Sequence, residues 1–287
     1  MRFILIILFT IFIYSNNYEV VESFSNSTKT LKTKPFKIVT KSNKKRYKPK
    51  REILHKKAYV KSSKKYYKKS IIKSRAKLVI IIDDVTHRYQ LNLIKSLPFK
   101  VTPSIFPPNR ANMKSQLLAK GLKHYMVHLP LESNSKAMNR MHKTLFITDS
   151  NQKIRERVAE IKKLFSTVKF LNNHTGSVFS QNYNKSKVLY KALLDNNITF
   201  LDSRTSKKTT FKKIAKEFKK HYYKCDHFID NKLDTKLILK EIKKGIAIAK
   251  KNGSAVIIGH PHKQTFKALK LAKKYFKDIN IVYIDEL

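Results

Sequence analysis

The sequence is poor in cysteine and in acidic residues. Cys225 is the single cysteine in 287 residues, so the chain can form neither an intramolecular disulfide nor a cysteine-rich zinc site. Stability must therefore come from buried apolar side chains, and any bound metal must be held by histidine and carboxylate ligands. Asp and Glu number 19 against 63 Lys and Arg, which gives a formal net charge of +44.

This positive charge raises the question of nucleic-acid binding, because Lys-rich stretches with interleaved tyrosines can neutralise phosphates and stack on bases. However, lysine is spread over the whole chain, including the solvent faces of predicted helices, rather than gathered into one groove. An export signal at the N-terminus would also separate the protein from nucleic acid. We therefore expect no nucleic-acid partner and regard anionic envelope surfaces as the better match to the charge.

The export signal is a short apolar run. Residues 3–14 are almost all apolar and follow Arg2, which is typical of a signal-sequence core. The run is shorter than the roughly 20 residues that a spanning helix needs, and no clear small-x-small cleavage site follows it. Residues 1–23 are therefore predicted to be a signal peptide or an uncleaved N-terminal anchor. The protein is expected in the periplasm, or on the cytoplasmic membrane facing the periplasm.

Residues 24–76 are dominated by Lys, Ser, Thr and Tyr, with few acids and no sustained hydrophobic period. Such a segment cannot bury enough apolar surface to offset the entropy lost on ordering. We expect a disordered basic tether that attracts the anionic envelope surface.

Residues 77–287 have a different texture, in which short apolar runs alternate with amphipathic stretches of helical length. This alternation predicts about seven or eight parallel strands linked by helices, in a barrel or an open doubly wound sheet. The predicted strands are Leu78–Ile82, Val101–Ile105, Tyr125–His128, Val168–Asn172, Ile198–Leu201, Tyr222–Asp226, Ala255–Ile258 and Ile279–Ile284. The predicted helices are Tyr89–Leu97, Met113–Ala119, Ile154–Phe165, Lys185–Leu194, Phe211–Phe218, Lys236–Lys250 and Phe266–Phe276. Gly121 and Gly253 follow predicted helices, where a left-handed C-cap is expected.

Polar side chains collect at the ends of the predicted strands. The carboxyl ends of parallel strands share one rim, where such folds place their chemistry. An adjacent Asp pair at a strand end can provide one metal ligand and one free proton acceptor, and histidines can complete a metal site. Alone, each group is commonly structural; together they predict an active site. The segments are Asp83-Asp84, His128 to Glu132, Asn172 to Ser177, Asp202 to Ser206, and Gly259 to His262.

In order and composition, these segments resemble the divergent polysaccharide deacetylase family, over about Lys77 to the C-terminus. The resemblance implies an α/β fold, the NodB-like distorted (β/α) barrel. It is carried by Ile82-Asp83-Asp84, His128-Leu129-Pro130-Leu131-Glu132, Asn172-Asn173-His174-Thr175-Gly176-Ser177, Leu201-Asp202-Ser203-Arg204-Thr205-Ser206 and Ile258-Gly259-His260-Pro261. It also implies a metal-dependent hydrolase that removes acetyl groups from an N- or O-acetylated envelope polysaccharide such as peptidoglycan.

The resemblance assigns a role to each polar group. Asp83 would be the general base and His260 the general acid, and Asp84, His128 and His174 would hold a divalent metal, with Zn²⁺ expected. The remaining polar residues at the rim would bind substrate or orient these groups; they are Asn173, Asp202, Arg204 and Glu132.

Two departures from the broader deacetylase superfamily leave alternatives open. Typical members carry a second histidine four residues after the first, where this chain has Glu132, so His174 is assigned as the replacement ligand with His124 and Glu132 as competitors. A typical Arg-Pro-containing third motif is absent. The alternative functions are a non-catalytic glycan-binding protein on the same barrel and a cationic binder of nucleic acid or membrane.

Overall fold

The computed structural model describes residues 75–287, apart from His142. The predicted signal or anchor segment lies outside these residues, as does the predicted tether up to residue 74. Ala76, assigned to the end of the tether, belongs to the fold instead: it packs against the core, and its carbonyl accepts a hydrogen bond from the Asn280 N–H at 2.9 Å. No helix between residues 75 and 287, His142 aside, is long and apolar enough to cross a bilayer.

Within the described residues, nine strands form one sheet whose strand pairings are all parallel. The spatial order is β6-β5-β4-β3-β2-β1-β8-β7, and β9 pairs with the beginning of β1. The strands are β1 (Lys77–Val85), β2 (Thr102–Ile105), β3 (Met126–Leu131), β4 (Phe170–Thr175), β5 (Thr199–Asp202), β6 (Tyr223–Lys224), β7 (His227–Phe228), β8 (Ser254–Gly259) and β9 (Asn280–Val282).

One short segment connects the two edges of this sheet. β6 pairs with β5, and β7, three residues further along the chain, pairs with β8 at the opposite edge. Between them, the Cys225 N–H donates to the Asp202 carbonyl and the Asp226 N–H donates to the Val256 carbonyl, both at 2.8 Å. The sheet therefore curls into the predicted distorted barrel rather than an open doubly wound sheet. The predicted strand Tyr222–Asp226 is wrong in its extent, because this segment changes partner strands part-way.

In the part of the chain that the structure describes, six α-helices cover the outside of the sheet: α1 (Arg88–Lys95), α2 (Asn151–Leu164), α3 (Tyr183–Asp195), α4 (Phe211–Glu217), α5 (Thr235–Asn252) and α6 (Lys263–Ala272). The predicted helix Met113–Ala119 is a 3₁₀ helix at Ser115–Ala119, and α6 ends before a separate 3₁₀ turn at Lys273–Tyr275. Gly253 caps α5 with φ +86°, and Gly121 has φ +78°, which confirms both predicted left-handed positions.

The strand residues alternate between two apolar clusters. Leu78, Ile80 and Ile82 of β1 belong to the larger cluster, which includes the buried faces of the helices. Val79 and Ile81 belong to a smaller cluster on the other face of the sheet, inside the barrel. Side chains alternate in direction along a strand, so Asp83 continues the inward-facing series.

Candidate active site and metal centre

The two-residue alternation brings four of the predicted site residues, Asp83, His128, His174 and His260, to the barrel interior. On four of the strands, an inward-facing apolar residue is followed two positions later, on the strand or just beyond it, by a polar residue that faces the same way. The pairs are Ile81 and Asp83, Met126 and His128, Phe170 and Asn172, and Ile258 and His260. His174 continues the series on β4.

Asp84 joins the site because β1 is irregular at its end. In a regular strand Asp83 and Asp84 would face opposite sides of the sheet. The register between β1 and β2 shifts between Ile82 and Val85, and Asp84 has φ +56°. A bulge of this kind redirects a side chain, and here it brings the Asp84 carboxylate to the same side as that of Asp83.

Asp84, His128 and His174 form a compact set of potential metal ligands. Asp84 Oδ1 lies 3.3 Å from His128 Nε2 and 3.0 Å from His174 Nδ1, and the two ring nitrogens are 3.1 Å apart. In tetrahedral coordination with bonds of about 2.0–2.1 Å, ligand atoms lie about 3.3 Å from one another. The three atoms therefore fit one face of a tetrahedral metal site, with further positions open.

The charges in this cluster shift the pKa values of its members. Burial alone would raise the pKa of Asp84, but hydrogen bonds and positive charge from His128 and His174 hold it well below its usual range. Burial opposes protonation of His128, yet the negative charges of Asp83 and Asp84 raise its pKa. A divalent cation would replace the proton on His128, as expected of a metal ligand.

A buried asparagine links the metal cluster to Asp83. Asn172 Nδ2 donates to both Asp83 carboxylate oxygens, at 2.9 and 3.0 Å, and Asn172 Oδ1 accepts from His128 Nδ1 at 2.9 Å and from Ser104 Oγ at 2.6 Å. The hydrogen bond to Nδ1 leaves His128 Nε2 facing the other ligands. Burial raises the pKa of Asp83 despite His128 and the Asn172 hydrogen bond, which lower it.

No role was predicted for Asn172, although it belongs to one of the predicted strand-end segments, and Ser104 was not predicted at all. The signal that could have found Asn172 is its spacing of two from His174, which places both on the same side of β4.

His260 is oriented by Asp230, a third residue whose role was not predicted from the sequence. Asp230 Oδ1 accepts from His260 Nδ1 at 3.0 Å, and Asp230 Oδ2 accepts from the His260 N–H and from Thr265 Oγ1. Burial lowers the pKa of His260, but the Asp230 hydrogen bond and charge outweigh it, with help from Asp84 and Asp83, and raise that pKa to about 9. Asp230 follows β7, a strand too short to leave a recognisable sequence pattern.

Comparison with known proteins identifies the family and the fold. The model of the divergent polysaccharide deacetylase family matches residues 80–287. The chain belongs to this family. This chain is similar to an uncharacterized protein of Haemophilus influenzae, with 28% identity over 217 residues, which are 75% of this chain and 77% of the relative. It is also 28% identical over 199 residues to the uncharacterized protein YibQ of Escherichia coli K12, and the match spans 67% of this chain and 61% of YibQ.

A crystal structure of an uncharacterized protein from Agrobacterium tumefaciens C58 shares the fold of this chain. It superposes with a TM-score of 0.65 at 17% identity, over 74% of this chain and 88% of that one. Together with the family match and the curled parallel sheet, this likeness confirms the NodB-like distorted barrel predicted from the sequence.

Asp202 and Arg204 contact neither Asp83 nor the predicted metal ligands, contrary to the orienting role expected of them. Leu201 faces the barrel interior, so Asp202 faces outward. Its carboxylate accepts from the Arg204 N–H, Thr209 Oγ1 and Tyr222 Oη. The Arg204 side chain is exposed and makes no hydrogen bond or ion pair with the described residues. Asp202 stabilises the loop after β5, and Asn172 occupies the orienting position.

Asn173 and Glu132 also stabilise loops. The Asn173 side chain donates to the Thr175 carbonyl and accepts from the Ser203 N–H at 2.9 Å. The Glu132 carboxylate accepts from the Ile147 N–H at 2.8 Å. His124, the other competing ligand, pairs with Asp285 at 2.8 Å, in front of the amino end of β3. Neither Glu132 nor His124 belongs to the metal cluster.

Proposed function

We propose that the protein is a metal-dependent hydrolase that removes acetyl groups from an N- or O-acetylated envelope polysaccharide such as peptidoglycan. The observation that supports this most strongly is the juxtaposition of a three-ligand cluster with a buried carboxylate and an oriented histidine at one rim of the barrel. Membership of the deacetylase family is consistent with an acetylated polysaccharide as the substrate.

The donor set of Asp84, His128 and His174 suits Zn²⁺, which favours nitrogen and carboxylate oxygen ligands in tetrahedral geometry. When bound, the cation supplies Lewis acidity to the acetyl carbonyl oxygen and to the attacking water. Asn172 would keep His128 in the tautomer whose Nε2 is free to ligate.

Asp83 is the proposed general base. Its burial raises its pKa and makes the carboxylate a better proton acceptor, while Asn172 holds both oxygens in place. Asp83 would take a proton from water as the water oxygen attacks the acetyl carbon.

His260 is the proposed general acid. With its pKa raised to about 9, the imidazolium stays protonated at neutral pH. Asp230 fixes Nδ1, which leaves Nε2 to deliver a proton to the sugar nitrogen or oxygen as its bond to the acetyl carbon breaks. The products are acetate and the free amine or alcohol.

Acetate release from acetylated glycan tests this function. Asp83→Asn preserves the shape of the side chain but removes the proton acceptor, and His260→Ala removes the donor, so each should lower the release rate by roughly two or more orders of magnitude. Both variants should still bind metal, measured by elemental analysis. Wild-type protein that is loaded with metal yet releases no acetate from peptidoglycan or chitin-type oligomers would favour the non-catalytic glycan-binding function.

A further inference from the structure

A cavity of about 460 Å³ opens beside the metal cluster. Asp84 and Phe106 form its inner wall, and its outer wall comes from two loops, one after β2 and one after β3. Phe106 also packs edge-on against the rings of His128 and His174, at 5.7 and 5.0 Å between centroids. A group bound in this cavity would therefore lie next to the reacting acetyl group.

Each of the two loops places one arginine on the cavity: Arg110 after β2 and Arg140 after β3. Both side chains are exposed, and neither forms an ion pair with any of the residues that the structure describes. The single acidic residue of the cavity lining is Asp84, which belongs to the metal cluster. The cavity thus presents two uncompensated guanidinium groups.

The backbone of the Arg110 loop is fixed before any ligand arrives. Asn109 Oδ1 accepts from the Ala111 N–H at 2.8 Å, Asn112 Nδ2 donates to the Thr86 carbonyl at 2.6 Å, and Ser115 Oγ donates to the Phe106 carbonyl at 2.7 Å. These bonds tie the loop to the ends of β1 and β2.

The Arg140 loop is fixed in a similar way. Asn139 Oδ1 accepts from the Ser133 N–H and Asn139 Nδ2 donates to the Ser133 carbonyl, both at 2.8 Å, and Arg140 ends a 3₁₀ turn. Loops held in this way lose little further entropy when a ligand binds.

The choice of arginine indicates the class of ligand. The basic residues of this chain are overwhelmingly lysine, yet both cations lining the cavity are arginine. The planar guanidinium binds carboxylate and phosphate oxygens through two parallel hydrogen bonds, which lysine cannot do. Two such groups on separate loops suit one oxyanion held between them.

We propose that the Arg110–Arg140 cavity binds a carboxylate or phosphate group of the glycan next to the acetylated sugar, so that the enzyme selects acidic over neutral acetylated glycans. This inference rests on the proposed function for its substrate, and on the two arginines for its specificity.

Binding measurements on the full-length protein test the proposal without relying on turnover. The probes are an N-acetylated disaccharide that carries a carboxylate, the same disaccharide with that carboxylate converted to an amide, and an analogue that carries a phosphate. Titration calorimetry at fixed salt should show the carboxylate probe binding about tenfold or more tightly than the amide, as expected for charge-assisted hydrogen bonds. If the phosphate analogue binds more tightly still, phosphate is the natural oxyanion.

Substitution of the two arginines completes the test. Arg110→Gln and Arg140→Gln should each reduce the ratio of the two affinities, and the double variant should bring it close to one. Arg155→Gln is the matched control, because Arg155 is an exposed arginine of α2 outside the cavity, and it should keep the wild-type ratio. Comparing the ratio of each variant with that of the wild type cancels attraction from the basic N-terminal residues, which all variants share.

A wild-type ratio near one, or an equal loss of preference in Arg155→Gln, would overturn the proposal. The outcome is separate from that of the proposed function. Protein that prefers the acidic probe but releases no acetate would refute the deacetylase and keep the anion site, whereas acetate release without that preference would do the opposite.

Discussion

At the scale of single residues, the position of a side chain along its strand decides whether it takes part in the site. Asn172 and Asn173 are adjacent and identical in type, yet Asn172 contacts Asp83 and His128 whereas Asn173 contacts the loop after β5. Residue type alone cannot predict which of the two asparagines contacts the site. The difference comes from the register of β3 and β4, in which Asn172 lies opposite His128.

We therefore predict a larger loss of metal affinity for substitution of the metal ligands than for substitution of Asn172. Asp84→Asn, His128→Ala and His174→Ala should each lose stoichiometric metal while the domain stays folded. Asn172→Ala should weaken metal affinity by about 10- to 100-fold, as loss of a residue that orients a ligand does. Asn173→Ala is the matched control and should bind metal as the wild type does. Zinc affinity from competition with a chromophoric chelator measures all five variants, and retention of metal by the first three would refute the ligand assignment.

The Asp230–His260 pair predicts a pH dependence. Because the pKa of His260 is raised from 6.5 to about 9, the pair contributes its full stability below pH 6.5 and loses it as the pH rises through about 9. The proposed acid likewise loses its proton over that range, so kcat/KM should fall above about pH 9.

Asp230→Asn removes the charge that favours the imidazolium. The alkaline limb of the kcat/KM profile should therefore shift to lower pH, and an NMR titration of the His260 ring should show the same lowered pKa. A role of Asp230 confined to packing would instead lower the rate equally at every pH.

At the scale of secondary-structure elements, close contact between α5 and the sheet depends on one glycine. A Cβ atom on Gly245 would lie 2.4 Å from Ile257 Cγ2 on β8. Gly245→Ala should lower the free energy of unfolding by about 1–2 kcal/mol, since the cost of overpacking exceeds the gain in helix propensity. Urea denaturation measures this change.

The double variant provides the control for that prediction. Ile257→Ala removes the Cγ2 atom, so adding Gly245→Ala in that background should cost nothing or should stabilise the helix. An equal loss in both backgrounds would mean that the contact with β8 is not the cause.

The elements also show how far the sequence could predict the fold. Strands of four or more buried residues and helices with a clear apolar face were recognised near their observed positions, because each leaves a periodic pattern. β6 and β7 have two residues each, which is too short for any period. The error there had a consequence for the site, because Asp230 follows β7 and was not recognised as a strand-end residue. The bulge at Asp84 was equally hidden, since its cause is the pairing with β2.

At the scale of the whole molecule, the folded part and the preceding basic residues have separate predicted tasks. The first described residue with a place in the core is Ala76. Deletion of residues 24–74 should therefore change the melting temperature of the domain little, while adsorption to anionic envelope material at low salt should weaken. Calorimetry and a salt-dependent sedimentation assay measure the two effects. A large fall in melting temperature would show that the deleted residues stabilise the barrel.

Opening of the barrel can be measured through the reactivity of a cysteine that lies where the barrel closes. Cys225, the single cysteine of the chain, is buried in the segment that connects the two sheet edges, and burial raises the pKa of its thiol to about 12. Only the thiolate reacts with alkylating reagents, so labelling of the native protein should be slow and limited by separation of β5 from β8.

If β5 and β8 separate without global unfolding, the labelling rate should rise with urea concentration less steeply than the equilibrium constant for global unfolding does. A slope equal to that of global unfolding would mean that the barrel opens only when the whole domain unfolds. The free energy of opening the barrel at this segment could then be measured from the reaction rate of one sulfur atom.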